Sequence, residues 1–365
     1  MTNPLKRRRQ LLGLIATSAG LAACGGGGGS DAPAATPPVT TTPETGATMP
    51  ATGTVTTPVT TPVTAPVTTP APVAPVAEPT PPVTEPAPAT PEPVPDTAPA
   101  TPVIAKSAKR GIAYDLASAA DLQALAPGVS WFYNWGTAPN SNLSIDVLKS
   151  TYQMDYFPML WDENTSTSAM TSYLLANPAI KYLLLMNEPN LVDQANLNPA
   201  DAAAQWPKYE SIARATGVKL VGPAITWGTL ANYSDPVAWM DAFIHAYQDA
   251  NGGRSPQIDY LAFHWYDYGL AGQLDRLLKY GKPFWVTEMA NWHSQSDGAQ
   301  IDTLAKQKTQ MTAMVKVCED RADVFRYAWF IGRMSPDPHF TSLLGANGVL
   351  TELGQLYLSL PYTKV

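Results

Sequence analysis

At 365 residues and a formal net charge of −7, the chain is long enough for a large core and too acidic for a nucleic-acid footprint. Its two cysteines exclude a disulfide framework, and four histidines without ligand spacing argue against a metal site, so no cofactor and no metal is expected. Of 36 prolines, 21 lie between residues 31 and 102, which sets a proline-rich segment apart from about 260 residues of ordinary globular composition.

The chain opens with a positive stretch, Lys6-Arg7-Arg8-Arg9, followed by an apolar run over 11–23 that is too short to span a bilayer. This run ends Leu21-Ala22-Ala23-Cys24, which resembles the bacterial lipobox. Residues 1–23 are therefore expected to be a lipoprotein signal peptide, with Cys24 as the lipidated residue. Arg8-Arg9 also resembles a twin-arginine export signal, which leaves the export route open. Gly25 after the cysteine, in place of an acid, fits sorting to the outer membrane of a Gram-negative cell. Residues 24–105 are glycine-rich, then rich in Pro, Thr, Ala and Val, with no amphipathic period. Proline removes donors and biases such a chain to polyproline II, so a disordered linker is expected. At about 3.1 Å per residue it would reach on the order of 200 Å.

Residues 106–365 read as one catalytic domain. Apolar β-rich runs occur at 111–115, 130–135, 156–160, 182–188, 219–225, 260–266, 283–289 and 326–331. Helical segments lie between most of them, at 118–125, 166–176, 199–215, 236–250, 270–278 and 305–317, with a last one at 351–360. Asn198-Pro199 and Asp235-Pro236 are helix starts with proline in the first turn. Alternating strands and helices predict an α/β fold with a parallel sheet. Ala113-Tyr114-Asp115-Leu116, after the first strand, has no glycine-rich phosphate loop. Eight strands in this length therefore predict a (β/α)8 TIM barrel, whose site lies at the C-terminal strand ends.

Six tryptophans stand at or just beyond those ends: Trp135, Trp161, Trp227, Trp265, Trp292 and Trp329. Large aromatics fill cores anywhere. Convergence on one rim nevertheless favours a sugar-stacking cleft, because sugar rings have apolar C–H faces. Two of the strands also end in acids, Glu188 in the fourth and Glu288 in the seventh. Such acids are structural partners or catalysts, and a glycosidic bond needs one protonated and one ionised carboxyl. Asn134, Tyr133, Asn291 and His293 are further candidates for sugar contact. Arg333 either holds a loop or meets a sugar hydroxyl.

Asn-Glu-Pro at the fourth strand and Thr-Glu at the seventh are similar to the clan A retaining glycosidases. Met186-Asn187-Glu188-Pro189-Asn190, Phe263-His264-Trp265-Tyr266, Trp285-Val286-Thr287-Glu288 and Gly348-Val349-Leu350-Thr351-Glu352-Leu353-Gly354 together resemble glycoside hydrolase family 128, the glycosyl hydrolase catalytic core. The resemblance spans residues 109–360. It implies a retaining, endo-acting β-1,3-glucanase working by double displacement, with Glu188 as acid/base and Glu288 as nucleophile. It further implies that Asn187 bonds the sugar 2-hydroxyl, that His264 or Tyr266 orients the nucleophile, and that Trp329 lies under the same sugar. Burial is expected to raise the pKa of the acid/base, and the carboxyl groups should lie about 5–5.5 Å apart. The partner is a β-glucan, with no nucleic acid, and a tethered enzyme on a polymer is expected to act as a monomer. Two other readings stay open: a non-catalytic surface carbohydrate-binding protein, and the same chemistry on mannan or β-1,6-glucan. Both acids being present counts against the first.

Overall fold

In the computed structural model, which describes residues 105–362, the alternation read from the sequence becomes nine strands and eight helices among the described residues. The expected signal peptide, Cys24 and the linker up to residue 104 lie outside the described residues. The strands are β1 (Arg110–Ala113), β2 (Trp131–Tyr133), β3 (Asp155–Tyr156), β4 (Met159–Leu160), β5 (Tyr182–Leu185), β6 (Lys219–Ile225), β7 (Tyr260–Trp265), β8 (Phe284–Met289) and β9 (Val324–Trp329). The helices are α1 (Ala119–Leu125), α2 (Ile145–Tyr152), α3 (Thr167–Ala176), α4 (Pro199–Thr216), α5 (Pro236–Ala250), α6 (Leu270–Leu277), α7 (Leu304–Asp320) and α8 (Glu352–Ser359).

All strand pairs are parallel, in the order β3-β2-β1-β9-β8-β7-β6-β5-β4. The predicted third strand is split in two at Phe157-Pro158, where proline has no N–H to give the ladder. Phe157 N–H still donates to Phe132 O at 3.2 Å, and Leu184 N–H donates to Pro158 O at 3.0 Å. The two ends of the sheet order are thus consecutive pieces of one stretch, bonded to β2 on one side and β5 on the other. This is a TIM-like α/β fold.

Local sequence explains the helices. Ser166, Asn198, Asp235, Thr303 and Thr351 each cap a helix by accepting a backbone N–H, and α4 and α5 carry proline in the first turn. The sequence reading placed no helix at α2, a short segment that buries Leu148 fully and sets Ile145 and Tyr152 against the core only in part.

The lower half of the sheet interior is aromatic. Trp285 lies 5.0 Å from Trp131, 5.3 Å from Phe157 and 5.0 Å from Tyr182, ring to ring. The Arg326 guanidinium closes this layer from below, 5.1 Å from the Phe157 ring and 5.3 Å from Trp285. Three cations just ahead of and in β1 fasten helix ends. Lys106 donates to Ala126, Val129 and Tyr152 carbonyls, and Lys109 to those of Cys318, Glu319 and Arg321. Arg110, fully buried, donates to Tyr357 O at 2.7 Å and Leu360 O at 2.9 Å. Each cation sits where a helix dipole is negative. Cys318 is fully buried, and burial pushes its pKa up.

Candidate active site

Parallel register assembles the site from residues far apart in sequence. Glu288 lies near the end of β8 and is paired with His264 of β7. Glu188 follows β5, and its backbone N–H donates to Ala224 O of β6 at 2.8 Å. Both acids are buried, at 5% and 2% exposure, and His264 is fully buried between them. His264 Nδ1 lies 2.8 Å from Glu188 Oε1 and 3.4 Å from Glu288 Oε2. One carboxylate oxygen of each acid and a His264 nitrogen all fall within 4.8 Å of one another. The expectation that no ligand cluster could form is therefore corrected: among the described residues, these three could hold a metal ion. Sequence spacing missed the group because strand order, not chain proximity, brings it together.

Glu288 accepts from three further donors. Tyr133 Oη and Trp135 Nε1 each reach Oε1 at 2.7 Å, and Tyr266 Oη bonds Oε2. Burial, then the charge of Glu288, pushes both phenols well above their ordinary pKa, so they stay protonated and donate. Such a set of donors suits an ionised carboxylate. Glu188 has a different environment. Burial is the largest influence and raises its pKa; the His264 hydrogen bond opposes this in part. For His264, burial pulls the pKa down, but the two glutamates outweigh it and the net shift is upward.

The backbone here is strained. Trp135, Met186 and Glu188 have φ of 57°, 54° and 45°, in the left-handed region that bulky residues avoid, at about 1–3 kcal/mol each. The Glu188 turn is held by Met186 N–H to Leu160 O at 2.8 Å and Asn187 N–H to Trp161 O at 2.9 Å. On its far side, Asn190 O accepts from Thr229 and Leu230 N–H, each at 3.0 Å. Residue 228 must be glycine there, because a Cβ would come 1.9 Å from Asn190 O.

Asn187 donates to Gln194 Oε1 at 3.0 Å and leaves its own Oδ1 buried without a protein partner, an acceptor suited to a ligand hydroxyl. Trp135 is half-buried beside Glu288, and Trp161 is half-buried just past β4. Trp227 is 45% exposed, with its indole N–H on Gln273 and the Arg276 guanidinium 5.0 Å from its ring. Trp292 is buried, 4.6 Å from the Tyr266 ring.

Two of the six tryptophans do not join this group, for a reason of phase. Residues alternate across a strand, so with His264 turned to the acids, Trp265 falls on the other face. There it stacks on Phe263 at 6.0 Å, with its N–H on Tyr268 O. Trp329 likewise has no exposed surface, donates to Thr341 O at 2.9 Å and lies 6.1 Å from Tyr357 of α8. The residue after it, Phe330, takes the inward place, 5.9 Å from Trp135, 5.6 Å from Tyr266 and 5.4 Å from Trp292. Asn134 is corrected for a different reason, since its amide is already satisfied. It donates to Asp115 and Ala138 O and accepts from Gly136 N–H and Tyr156 Oη. Tyr266 is the side chain that bonds Glu288, whereas the shorter contact of His264 is to Glu188. Arg333 holds a loop, through both Asp121 oxygens and Gly345 O.

Residues 111–357 match the glycosyl hydrolase catalytic core family. A GH128 subgroup II endo-β-1,3-glucanase of Pseudomonas viridiflava is 62% identical, with a TM-score of 0.70, covering 71% of this chain and 100% of its own. A GH128 subgroup I endo-β-1,3-glucanase of Amycolatopsis mediterranei, crystallised with laminaritriose, is 27% identical with a TM-score of 0.53, covering 69% and 98%. Alkali-sensitive linkage protein 1 of Schizosaccharomyces pombe is 29% identical over 268 residues, 69% of this chain. The chain spans 45% of that relative's length. A TIM-like fold, a buried carboxylate pair at the strand ends and a family match over nearly all described residues agree: the chain belongs to the glycosyl hydrolase catalytic core family, within glycoside hydrolase family 128, and is a glycoside hydrolase.

Proposed function

We propose that the chain hydrolyses β-1,3-glucan, acting within the polymer and with retention at the anomeric carbon, on a (β/α)8 barrel closed through residues 155–160. The carrying observation is the close pair of buried carboxylates, Glu188 and Glu288, bridged by His264, with one oxygen of each acid and a His264 nitrogen within 4.8 Å of one another. A pair this close leaves no room for a water between the second carboxylate and the anomeric carbon, which supports retention over inversion. In the first step Glu188 gives its proton to the glycosidic oxygen while Glu288 attacks the anomeric carbon, and the C–O bond to the leaving sugar breaks. In the second, Glu188 takes a proton from water, whose oxygen displaces Glu288 and frees the sugar. Tyr133, Trp135 and Tyr266 hold the Glu288 carboxylate, and Asn187 Oδ1 accepts from the 2-hydroxyl of the bound sugar. Trp135, Trp161 and Trp227, which keep exposed surface, supply apolar faces to the polymer, with Phe330 and Trp292 packed behind them. The relatives named as endo-β-1,3-glucanases support the linkage and the mode of attack.

We also propose that the enzyme acts as a monomer, lipid-anchored through Cys24 at the cell envelope, in keeping with the lipobox-like Leu21-Ala22-Ala23-Cys24. Reducing-sugar release from laminarin, cellulose, mannan and a β-1,6-glucan, each beside Glu288→Gln, tests the reaction. Release from laminarin alone, abolished in the variant, is the expected result. Binding to laminarin without release would overturn it in favour of a carbohydrate-binding protein.

A further inference from the structure

Beyond the nucleophile, β7 and β8 continue their pairing into two loops. Ala290 N–H donates to Trp265 O at 3.2 Å, and Trp292 N–H donates to Tyr266 O at 2.7 Å. The next rung is made by side chains. His293 Nδ1 lies 3.0 Å from Asp267 Oδ1, and its Nε2 lies 3.0 Å from Asp297 Oδ2. The backbone of His293 is engaged as well, donating to Asn291 Oδ1 at 2.9 Å and accepting from Ile301 N–H at 2.8 Å. The residue is therefore tied at four points and is 13% exposed at its side chain, which leaves no ring nitrogen for a sugar hydroxyl.

A neutral imidazole has one N–H and one lone pair. With a carboxylate on each nitrogen, both contacts are hydrogen bonds only if both nitrogens are protonated. The preceding residue in each loop belongs to the site: Tyr266 donates to Glu288, and Trp292 packs on Tyr266 at 4.6 Å. We propose that His293, as an imidazolium clasped between Asp267 and Asp297, is a positioning residue that holds Tyr266 and Trp292 in place beside Glu288 and contributes to the alkaline limit of activity. This rests on the hydrolase reading above and adds the control of that site by pH.

The other groups around the imidazole leave this charge balance in place. Tyr268 meets the ring edge-on at 5.3 Å and donates to Ala299 O at 2.6 Å. Lys306 is spent on Gly298 O, Gln300 O and Asp302, at 2.9 Å from the last. His339 is turned to Ile301 O at 3.0 Å, behind Trp292. Burial pulls the His293 pKa down, and the two carboxylates outweigh it, so the net shift is upward. The imidazolium is thus favoured in the fold. Its contribution is present below the ordinary histidine range and is lost as pH rises through the raised value. Asp267 and Asp297 are about half exposed, so the clasp is screened by salt.

The test uses the full chain and three variants, Asp297→Asn, His293→Arg and His293→Gln, with kcat and KM for laminarin measured across pH. Asp297→Asn should move the alkaline limb of kcat to lower pH, leave the acid limb in place and change KM by less than about twofold. His293→Arg, which keeps its charge at every pH, should extend the plateau to higher pH. His293→Gln can serve one carboxylate as donor and should lower kcat about tenfold through misplacement of the tyrosine. Alkaline limbs of Asp297→Asn and His293→Arg that coincide with the parent would overturn the proposal. Should the parent release nothing from laminarin, the hydrolase reading fails, and the pH dependence of the unfolding midpoint decides on the clasp without substrate. There, an alkaline decline that is earlier in Asp297→Asn and flatter in His293→Arg supports it, and three superimposable curves reject it. Should His293→Arg not fold, Asp297→Asn decides by the same two readouts.

Discussion

His264 Nδ1 stands 2.8 Å from Glu188 Oε1 and nearer to it than to Glu288, so the imidazole is first of all the partner of the group assigned as the acid. Burial raises the pKa of Glu188, and His264 is also raised net of its own burial. The two titrate as a pair. The alkaline limb of kcat/KM should therefore lie above the ordinary carboxylate range, and Glu188→Gln should remove the Glu188 contribution to it. That variant should keep kcat/KM on aryl glycosides whose leaving group needs no proton, with kcat lowered because the second step still lacks its base, while losing about 10²–10⁴-fold in kcat/KM on laminarin. Equal losses on both substrates would contradict the assignment.

The same shifts carry a sign for stability. A folded state that holds its protons more tightly than the unfolded chain loses stability as pH rises between the unfolded and folded values. Glu188 and His264 both act in this direction. Glu188→Gln should flatten the alkaline decline of the unfolding midpoint, as measured by calorimetry across pH.

The donors on Glu288 should act on the chemical step. Tyr266→Phe removes a hydrogen bond to a charged group, worth about 1.5–3 kcal/mol, and should lower kcat about 10–100-fold with little change in KM. Tyr133→Phe should do the same. Steady-state kinetics on laminarin separates this from a binding defect, which would appear in KM.

Phase along β9 gives a paired comparison. Phe330→Ala removes a ring that touches Trp135, Tyr266 and Trp292, and should lower kcat/KM. Trp329→Phe, on the opposite face, should lower the unfolding midpoint and leave kcat/KM within about twofold. The reverse pattern would place Trp329 in the cleft.

Arg110 offers a change in stability without a change in chemistry. Arg110→Met removes the buried cation beside Glu319 and the donor to the carbonyls at the end of α8, at about 3–5 kcal/mol. At this size the unfolding midpoint should fall by roughly 8–15 °C. Activity well below that temperature should be unchanged.

Much of this architecture was legible in the sequence because its signals are local. Apolar runs ending in Glu188 and Glu288, and proline-led helix starts after Asn198 and Asp235, depend on neighbours a few residues away. What was not legible depended on phase and on satisfaction. Trp265 and Trp329 lie one residue out of step with the inward face, and an aromatic run such as Trp329-Phe330 does not say which ring points in. Asn134 reads as free to bind sugar until Asp115 and Tyr156 are seen to occupy it. The Glu188–His264–Glu288 contact and the His293–Asp267 half of the clasp arise between segments that strand order alone makes neighbours.

The three cations at Lys106, Lys109 and Arg110 have a mechanical consequence. Tension arriving along the chain at residue 105 meets ten hydrogen bonds from these cations to carbonyls at or just past helix ends as it enters β1. The strands are parallel, so this attachment lies at their N-terminal ends, whereas Glu188 and Glu288 lie at or just beyond the opposite ends. A pull exerted while the cleft grips a polymer would run lengthwise through the sheet, in shear across its ladder of bonds, the loading direction in which such a ladder shares force among many rungs at once.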